Sequence, residues 1–306
     1  MIVRERPSGL RLYFIFKGSM LQSIRWQLVS TVLVAAAVYL THGMLFAIKI
    51  TMTPIPFSLI GLALAIFLGF RNNASYERYW EGRKLWGELM IACRTITRQM
   101  QTFVTGSGAD EARRRMAYRA IAFAHALRHH LRGSDPREEV GALLTAEEFA
   151  ALEGAVNKPD FLVRRMAADL RGLVGERATN PLFAARIDET LTSFATILAG
   201  CERIKQTPIP FSYTLLIHRT AYLYCFMLPF GLVDSIGFMT PFVVGLISYT
   251  FFGLDALGDE IAEPFGTLPN DLPLAGICRG IEISIREALG EEGLPEALKP
   301  VDFCIL

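Results

Sequence analysis

A chain of 306 residues that is 52% hydrophobic and only 20% charged has room for one large domain or two smaller ones. Its formal net charge of +1 points to neither a nucleic acid nor an acidic ligand, and a mean hydropathy of +0.33 is high for a soluble domain. The five cysteines, Cys93, Cys201, Cys225, Cys278 and Cys304, are too scattered for a zinc knuckle or a CxxC redox pair, and they fit a reducing compartment.

The first residues carry Arg4, Glu5, Arg6, Arg11, Lys17 and Arg25, and no small-residue cleavage site follows, so no processing signal is expected. Trp26 to Ile48 then carries no formal charge unless His42 is protonated, and Lys49 ends the run. At 1.5 Å per residue this run exceeds the ~30 Å hydrocarbon core of a bilayer. A second uncharged run, Ile50 to Phe70, contains Pro54 and Pro56, which suit a helix start and place the second helix from about Pro56 onward. From Arg71 the pattern stays helical but turns charged, with Arg78, Glu81 and Arg83 among Tyr79, Trp80 and Trp86.

Between 71 and 205 charges are frequent, and helical runs are expected at Tyr76–Thr102, Ala112–Leu131 and Asp188–Gln206, with turns at Gly106–Gly108 and Gly133–Pro136. His125 and His129 share a helix face beside His130. A metal would want a third ligand, with Asp135 across a turn, so a packed or solvated helix surface is the better reading. Gln206 to Leu254 is apolar again apart from Arg219 and Asp234. Pro208 and Pro210 open it, and Pro229, Gly231, Gly237 and Pro241 break it, giving a hairpin of Phe211–Leu228 and Pro241–Leu254 with a turn at Ser235–Thr240. His218 and Arg219 are ionisable residues inside an apolar helix and therefore functional suspects; Arg219 can equally pair with an acid or snorkel toward the interface. The segment from Pro264 onward is rich in Pro and Gly, with one short helix at Ile281–Leu289.

The expected organisation is an N-terminal segment 1–25, a first membrane pair 26–75, a helical portion 76–207, a second membrane pair 208–256 and a tail 257–306 that wraps the assembly. Lys and Arg crowd the N-terminus, 71–98 and 203–205, while the 48–56 and 229–241 turns are nearly free of them. The positive-inside rule puts both termini and 71–205 in the cytoplasm. G-x-G-x-x-G, Walker, H-E-x-x-H and G-x-S-x-G patterns are absent, and no concentrated His, Asp or Glu set argues for a membrane enzyme. The two hairpins differ too much for the repeats of a secondary transporter. A membrane scaffold remains compatible with the composition.

Leu62, Ile66 and Phe70 form one stripe on the second helix, next to a stripe of Gly61, Ala65 and Gly69 that permits close helix approach. Two such faces suit a helix packed beside copies of itself, and also suit ordinary core packing. FLGFRNNASYERYWEGRKLW, from Phe67 to Trp86, resembles the signature of the bestrophin family, specifically its bacterial branch. KGSMLQSIRWQLV from Lys17, PIPFSYTLLIHRTAYLY from Pro208 and DEIAEPFGTLPNDLPL from Asp259 support it.

The resemblance implies an all-α membrane protein with four transmembrane helices per subunit and a helical cytoplasmic portion. Five copies surround a central pore in a bacterial inner membrane, with lipids and monovalent ions as partners and no cofactor. It implies an apolar neck at Leu62, Ile66 and Phe70, and a cytoplasmic constriction at Leu182, just after the helix-opening Pro181. Eukaryotic members are mainly chloride channels and some bacterial relatives conduct cations. Arg219 and Asp234 are candidate pore or mouth charges of opposite effect, and Asp234 gives a slight lean to cations with chloride as the alternative. Eukaryotic members also hold calcium with an acidic run after Pro-Phe-Gly. Here Pro264-Phe265-Gly266 is followed by Thr267 to Asn270, leaving Glu260, Glu263 and Asp271 as weak metal candidates, so no metal is expected and a turn docking the C-terminal tail is the simpler reading.

Overall fold

The computed structural model describes residues 1–2, 15, 18–45, 48–49 and 52–305. Arg4, Glu5, Arg6, Arg11 and Lys17, most of the expected segment 1–25, and Ile50 at the start of the second apolar run lie outside the described residues. The chain divides into two compact units, one of Glu5–Tyr79 with Pro208–Glu263 and the other of Met1–Arg4, Trp80–Thr207 and Pro264–Leu306.

In the first unit, helix α1 is Leu21–Leu40, so the apolar run expected at Trp26–Ile48 starts earlier and stops sooner as a helix. Its end is chemical. His42 and Gly43 take left-handed φ values of 50° and 72°; Gly43 N–H donates to Val38 O at 2.9 Å and His42 N–H to Tyr39 O at 3.0 Å, a Schellman closure. A two-stranded antiparallel hairpin follows, β1 Met44–Leu45 and β2 Ile48–Lys49, a small exception to an all-α chain.

Helix α2 runs unbroken over fifty residues, Pro54–Phe103, which merges the second apolar helix and the charged run at Tyr76–Thr102 into one rod. Its two prolines sit in the first turn, where their missing N–H groups are unneeded. Helix α8 is Phe211–Ile236 and α9 is Thr240–Ala262, joined by a 3-10 turn at Gly237–Met239. Both are longer than expected: α8 continues past Pro229, and α9 past Leu254. Proline inside a helix costs ~3 kcal/mol, yet Leu228, Pro229, Gly231 and Val233 are buried here. A side chain at Gly231 would start 2.5 Å from the Phe57 ring of α2, so the missing Cβ is what lets that ring in. The break falls instead at Gly237, whose φ is 52°.

Helix α1 packs on α9 and α8. Ala35, Phe57, Leu228 and Val244 form one core cluster, Leu64, Leu68, Ile217 and Ala221 a second, and Ile24, Cys225 and Phe252 a third. Outward, Trp26, Leu33, Leu59, Leu216, Leu223, Phe242 and Leu246 are exposed. Apolar side chains inside and outside are the mark of helices solvated by lipid. Three segments are long and apolar enough to cross a bilayer, Leu21–Leu40, Pro54–Phe103 and Phe211–Ala262, the last containing both α8 and α9. The chain is a multi-pass membrane protein.

In the second unit, α3 (Ala109–Arg132) is the central helix, with Ala117, Ala120 to Ala124, Ala126 and Leu127 buried on nearly every side. Its alanines admit close neighbours: α6 (Lys158–Gly175), α7 (Pro181–Gln206) and α10 (Leu274–Ala288) pack against it. Phe123 meets Phe194 of α7 edge-on at 5.0 Å. Gly108 and Gly133 bound α3 in left-handed conformation, as the expected turns require. The short α4 (Arg137–Gly141) and α5 (Ala146–Glu153) lie between α3 and α6. The structure extends the expected helix at Asp188–Gln206 back to Pro181, because the Asn180 side chain caps the new start. It likewise moves the expected Ile281–Leu289 helix back to Leu274, whose buried face is Leu274, Cys278, Ile281 and Ile285 at helical spacing.

Candidate functional site

At about 100° per residue, Leu64, Leu68, Arg71 and Ser75 share one side of α2 while Leu62, Ile66 and Phe70 occupy roughly the opposite side. Their surroundings follow this geometry. Leu64 and Leu68 are 3% and 0% exposed, against Ile217 and Ala221 of α8, whereas Leu62, Ile66 and Phe70 are 63%, 47% and 64% exposed. The Phe70 ring lies 6.5 Å from the Phe67 ring of its own helix, centroid to centroid. The stripe is therefore not part of the subunit's core. The small face beside it is open as well: Ala65 and Gly69 are exposed, while Gly61 is approached by Tyr224.

Just past Phe70 the helix carries a buried cation. The Arg71 guanidinium, 1% exposed, donates through Nη1 to Asp255 and through Nη2 to Asp259 on α9. His218 of α8 bonds the second oxygen of Asp255 through Nδ1 at 2.6 Å. Its ring lies 4.3 Å from that of Tyr222. Asn72 Nδ2 donates to Leu254 O at 3.1 Å and Arg78 Nε to Ala262 O at 3.0 Å. His218 stands out in the sequence; Arg71, Asp255 and Asp259 do not. The available signal is the set of carboxylates Asp255, Asp259 and Glu260 gathered at the end of a helix that is otherwise uncharged.

Leu182 is the second residue of α7. Asn180 Oδ1 accepts its N–H at 2.9 Å, and the neighbouring Phe183 ring stacks on Phe103 at 4.5 Å, leaving Leu182 76% exposed. Arg219 and Asp234 are both exposed on α8.

The histidine cluster resolves differently from a metal site. Asp135 is not its partner. Glu139 of α4 takes His125 Nδ1 at 3.1 Å, His129 Nε2 at 2.8 Å and the Arg128 guanidinium, and these contacts, the His125 bond foremost, hold its carboxyl well below the usual carboxylate range. His130 turns to Glu202 at 2.9 Å. Among the described residues no group of three His, Cys, Asp or Glu side chains could hold a metal ion. Glu260 is buried and Glu263 exposed in the first unit. Asp271, in the second, is buried and accepts the Leu268 N–H at 2.7 Å, inside a loop closed by Leu272 N–H on Pro264 O at 2.9 Å. The carboxylate that follows Pro-Phe-Gly is thus built into a turn.

Comparison with known proteins places this arrangement. A family model described as Bacterial/Fungal Bestrophin protein matches residues 1–287. Voltage-dependent anion channel-forming protein mll4386 of Mesorhizobium japonicum is 44% identical over 95% of this chain and 93% of its own. Voltage-dependent anion channel-forming protein YneE of Escherichia coli is 41% identical over 98% of each. A point-mutant crystal structure of a bacterial Bestrophin homolog from Klebsiella pneumoniae superimposes with a TM-score of 0.84 at 38% identity, over 88% of this chain and 99% of that one. This chain belongs to the bacterial branch of the bestrophin family, with the all-α membrane fold of that family.

Proposed function

We propose that the protein is one subunit of a passive ion channel, not an enzyme, in a bacterial plasma membrane, and that Leu62, Ile66 and Phe70 line its neck. The observation that carries this is the two-faced α2: one side closes the subunit's core, and the opposite side leaves three large apolar residues outside it. A single subunit offers one such helix, so a closed ring of copies is required to enclose a path, and the family resemblance supports a ring of five. In that ring α1, α2, α8 and α9 give four crossings. The segments 26–75 and 208–256 are the membrane pairs, with 1–25, 76–207 and 257–306 on the cytoplasmic side. Leu182, exposed at the start of α7, supplies the cytoplasmic constriction.

Apolar rings offer no ligands to a dehydrated ion; they set a barrier governed by diameter and wetting. They also leave the sign of the ion to other groups. The names of the Mesorhizobium japonicum and Escherichia coli relatives favour anions over the slight lean to cations that Asp234 suggests. We therefore read the channel as conducting small monovalent anions, with Arg219 at the pore or its mouth. Purified protein in a planar lipid bilayer tests the reading, alongside the mass of the solubilised complex. Single-channel steps from a complex of about five 34.1 kDa subunits are expected; a monomer, or a complex that carries no current, contradicts it.

A further inference from the structure

We propose that Arg71 is the positioning residue of the neck, and that Asp255, Asp259 and His218 form around it a proton-responsive brace that sets the orientation of the pore-lining helix. The inference rests on the channel reading above and adds a means of regulating the same site.

The geometry starts from adjacency. Arg71 follows Phe70 in one rigid helix, but the two side chains point in different directions, Arg71 with the buried row of Leu64, Leu68 and Ser75 and Phe70 away from it. Any turn of α2 about its axis that moves the Leu62, Ile66 and Phe70 stripe must drag Arg71 out of its partners. A guanidinium this buried holds its charge only if paired and hydrogen-bonded. The planar fork of arginine reaches two carboxylates at once, one turn apart on α9, which a lysine ammonium on a flexible stem does not reproduce. The backbone has made room for the bond. A Cβ at Gly258 would collide with Asn72 Oδ1 and come within 3.7 Å of Arg71 Cζ. The neck's orientation and the Arg71 ion pairs are therefore fixed together.

Charge arithmetic supplies the switch. Two carboxylates face one guanidinium, so the cluster carries one excess negative charge while His218 is neutral, and none once His218 takes a proton. The groups around His218 are Asp255 and Asp259 from α9, Arg71 from α2, and Tyr222 with the adjoining Arg219 on α8 itself. The charged residue of α1 is Arg25, whose guanidinium lies over the Trp26 ring. The His218 side chain is 43% exposed on the subunit, while its Asp255 partner is buried. Histidine is the side chain suited to changing charge between pH 5 and 8. Protonation adds a charge-assisted bond on Asp255 and tightens the brace; loss of the proton loosens it.

The test uses the full-length protein reconstituted in lipid, with single-channel open probability measured from pH 5.5 to 8. The wild type is expected to change at least threefold across that range. His218→Gln keeps a donor for Asp255 and is expected to stay flat at the wild-type alkaline level; His218→Lys, permanently charged, is expected to stay flat at the acidic level. Arg71→Lys is expected to shift open probability at every pH. A wild-type profile that is flat, or one that His218→Gln leaves intact, overturns the brace. Silence of the wild type contradicts the channel reading instead, and thermal melting then decides the brace. Its midpoint is expected to rise from pH 8 to 5.5 in the wild type more than in His218→Gln, and equal rises overturn it.

Discussion

Two truncations on one helix separate a pore ring from a packing seam. Leu68 is fully buried against Ile217 and Ala221, whereas Ile66, two residues earlier and on the far side of α2, is 47% exposed. Cutting a buried leucine to alanine costs about 2–5 kcal/mol, through lost contacts and the cavity left behind. Ile66→Ala removes three carbons, of which about half the surface has protein neighbours, so half that range, about 1–2.5 kcal/mol, is expected. Leu68→Ala should therefore lower the melting midpoint of the oligomer well below that of Ile66→Ala, with both measured in the same lipid. The effect on current should run the other way. Each Ile66→Ala substitution is repeated in every subunit at one level of the neck, which widens and wets it and raises conductance or open probability. Phe70→Ala should behave similarly and Leu62→Ala more mildly. A collapsed Ile66→Ala oligomer, or an intact one with unchanged current, refutes the assignment of the stripe to the pore.

Three further outcomes follow from the second unit and its tail. Glu139 is held below the ordinary carboxylate range by His125 and His129, with Arg128 adding to the effect. Its contribution to stability is present above the unfolded carboxylate pKa of about 4.3 and disappears as pH falls through the lower folded value. Melting midpoints of the wild type should thus drop more steeply than those of Glu139→Gln between pH 5 and 2; parallel curves count against the pairing. Asp271 is tied into its own turn, so micromolar calcium should leave open probability unchanged, and a steep activation overturns the turn reading. Burial pushes the Cys201 and Cys278 thiols up to about 12, and Cys93 higher still. At pH 7 a thiol alkylator should modify Cys304 well before these three, and rapid native labelling of Cys93 contradicts the packing around α3.

Apolar length made the membrane helices legible, and the resemblance carried by Phe67 to Trp86 pointed to the stripe of Leu62, Ile66 and Phe70 that we propose as the neck. What the sequence pattern misplaced were ends. Ile48 sits in a hairpin because His42 and Gly43 turn the chain left-handed, and a charge-free run records lipid compatibility rather than backbone conformation. Pro229 looked like a breaker, but Gly231 beside it admits Phe57 and the surrounding packing outweighs one lost hydrogen bond. The helices α4 and α5 are short; α6 was missed although Leu162, Met166, Leu170 and Leu173 repeat at helical spacing, and the Thr145 and Asn157 caps that start α5 and α6 are common residues in loops too. The brace around Arg71 was hidden for another reason. Its members lie on three helices, with Arg71 184 residues from Asp255 and 188 from Asp259, and periodicity within one helix reports which face is apolar, not which charges will meet across the fold.

We propose that the protein is a passive channel for small monovalent anions. Bilayer recording under a tenfold potassium chloride gradient tests it most directly, because the potential at which current vanishes reports the ion that carries it. A perfectly selective monovalent pathway displaces that potential by about 59 mV per tenfold gradient. Discrete currents should reverse close to the chloride equilibrium potential. Reversal near the potassium potential contradicts the anion assignment, and a correctly assembled protein that passes no current contradicts the channel itself.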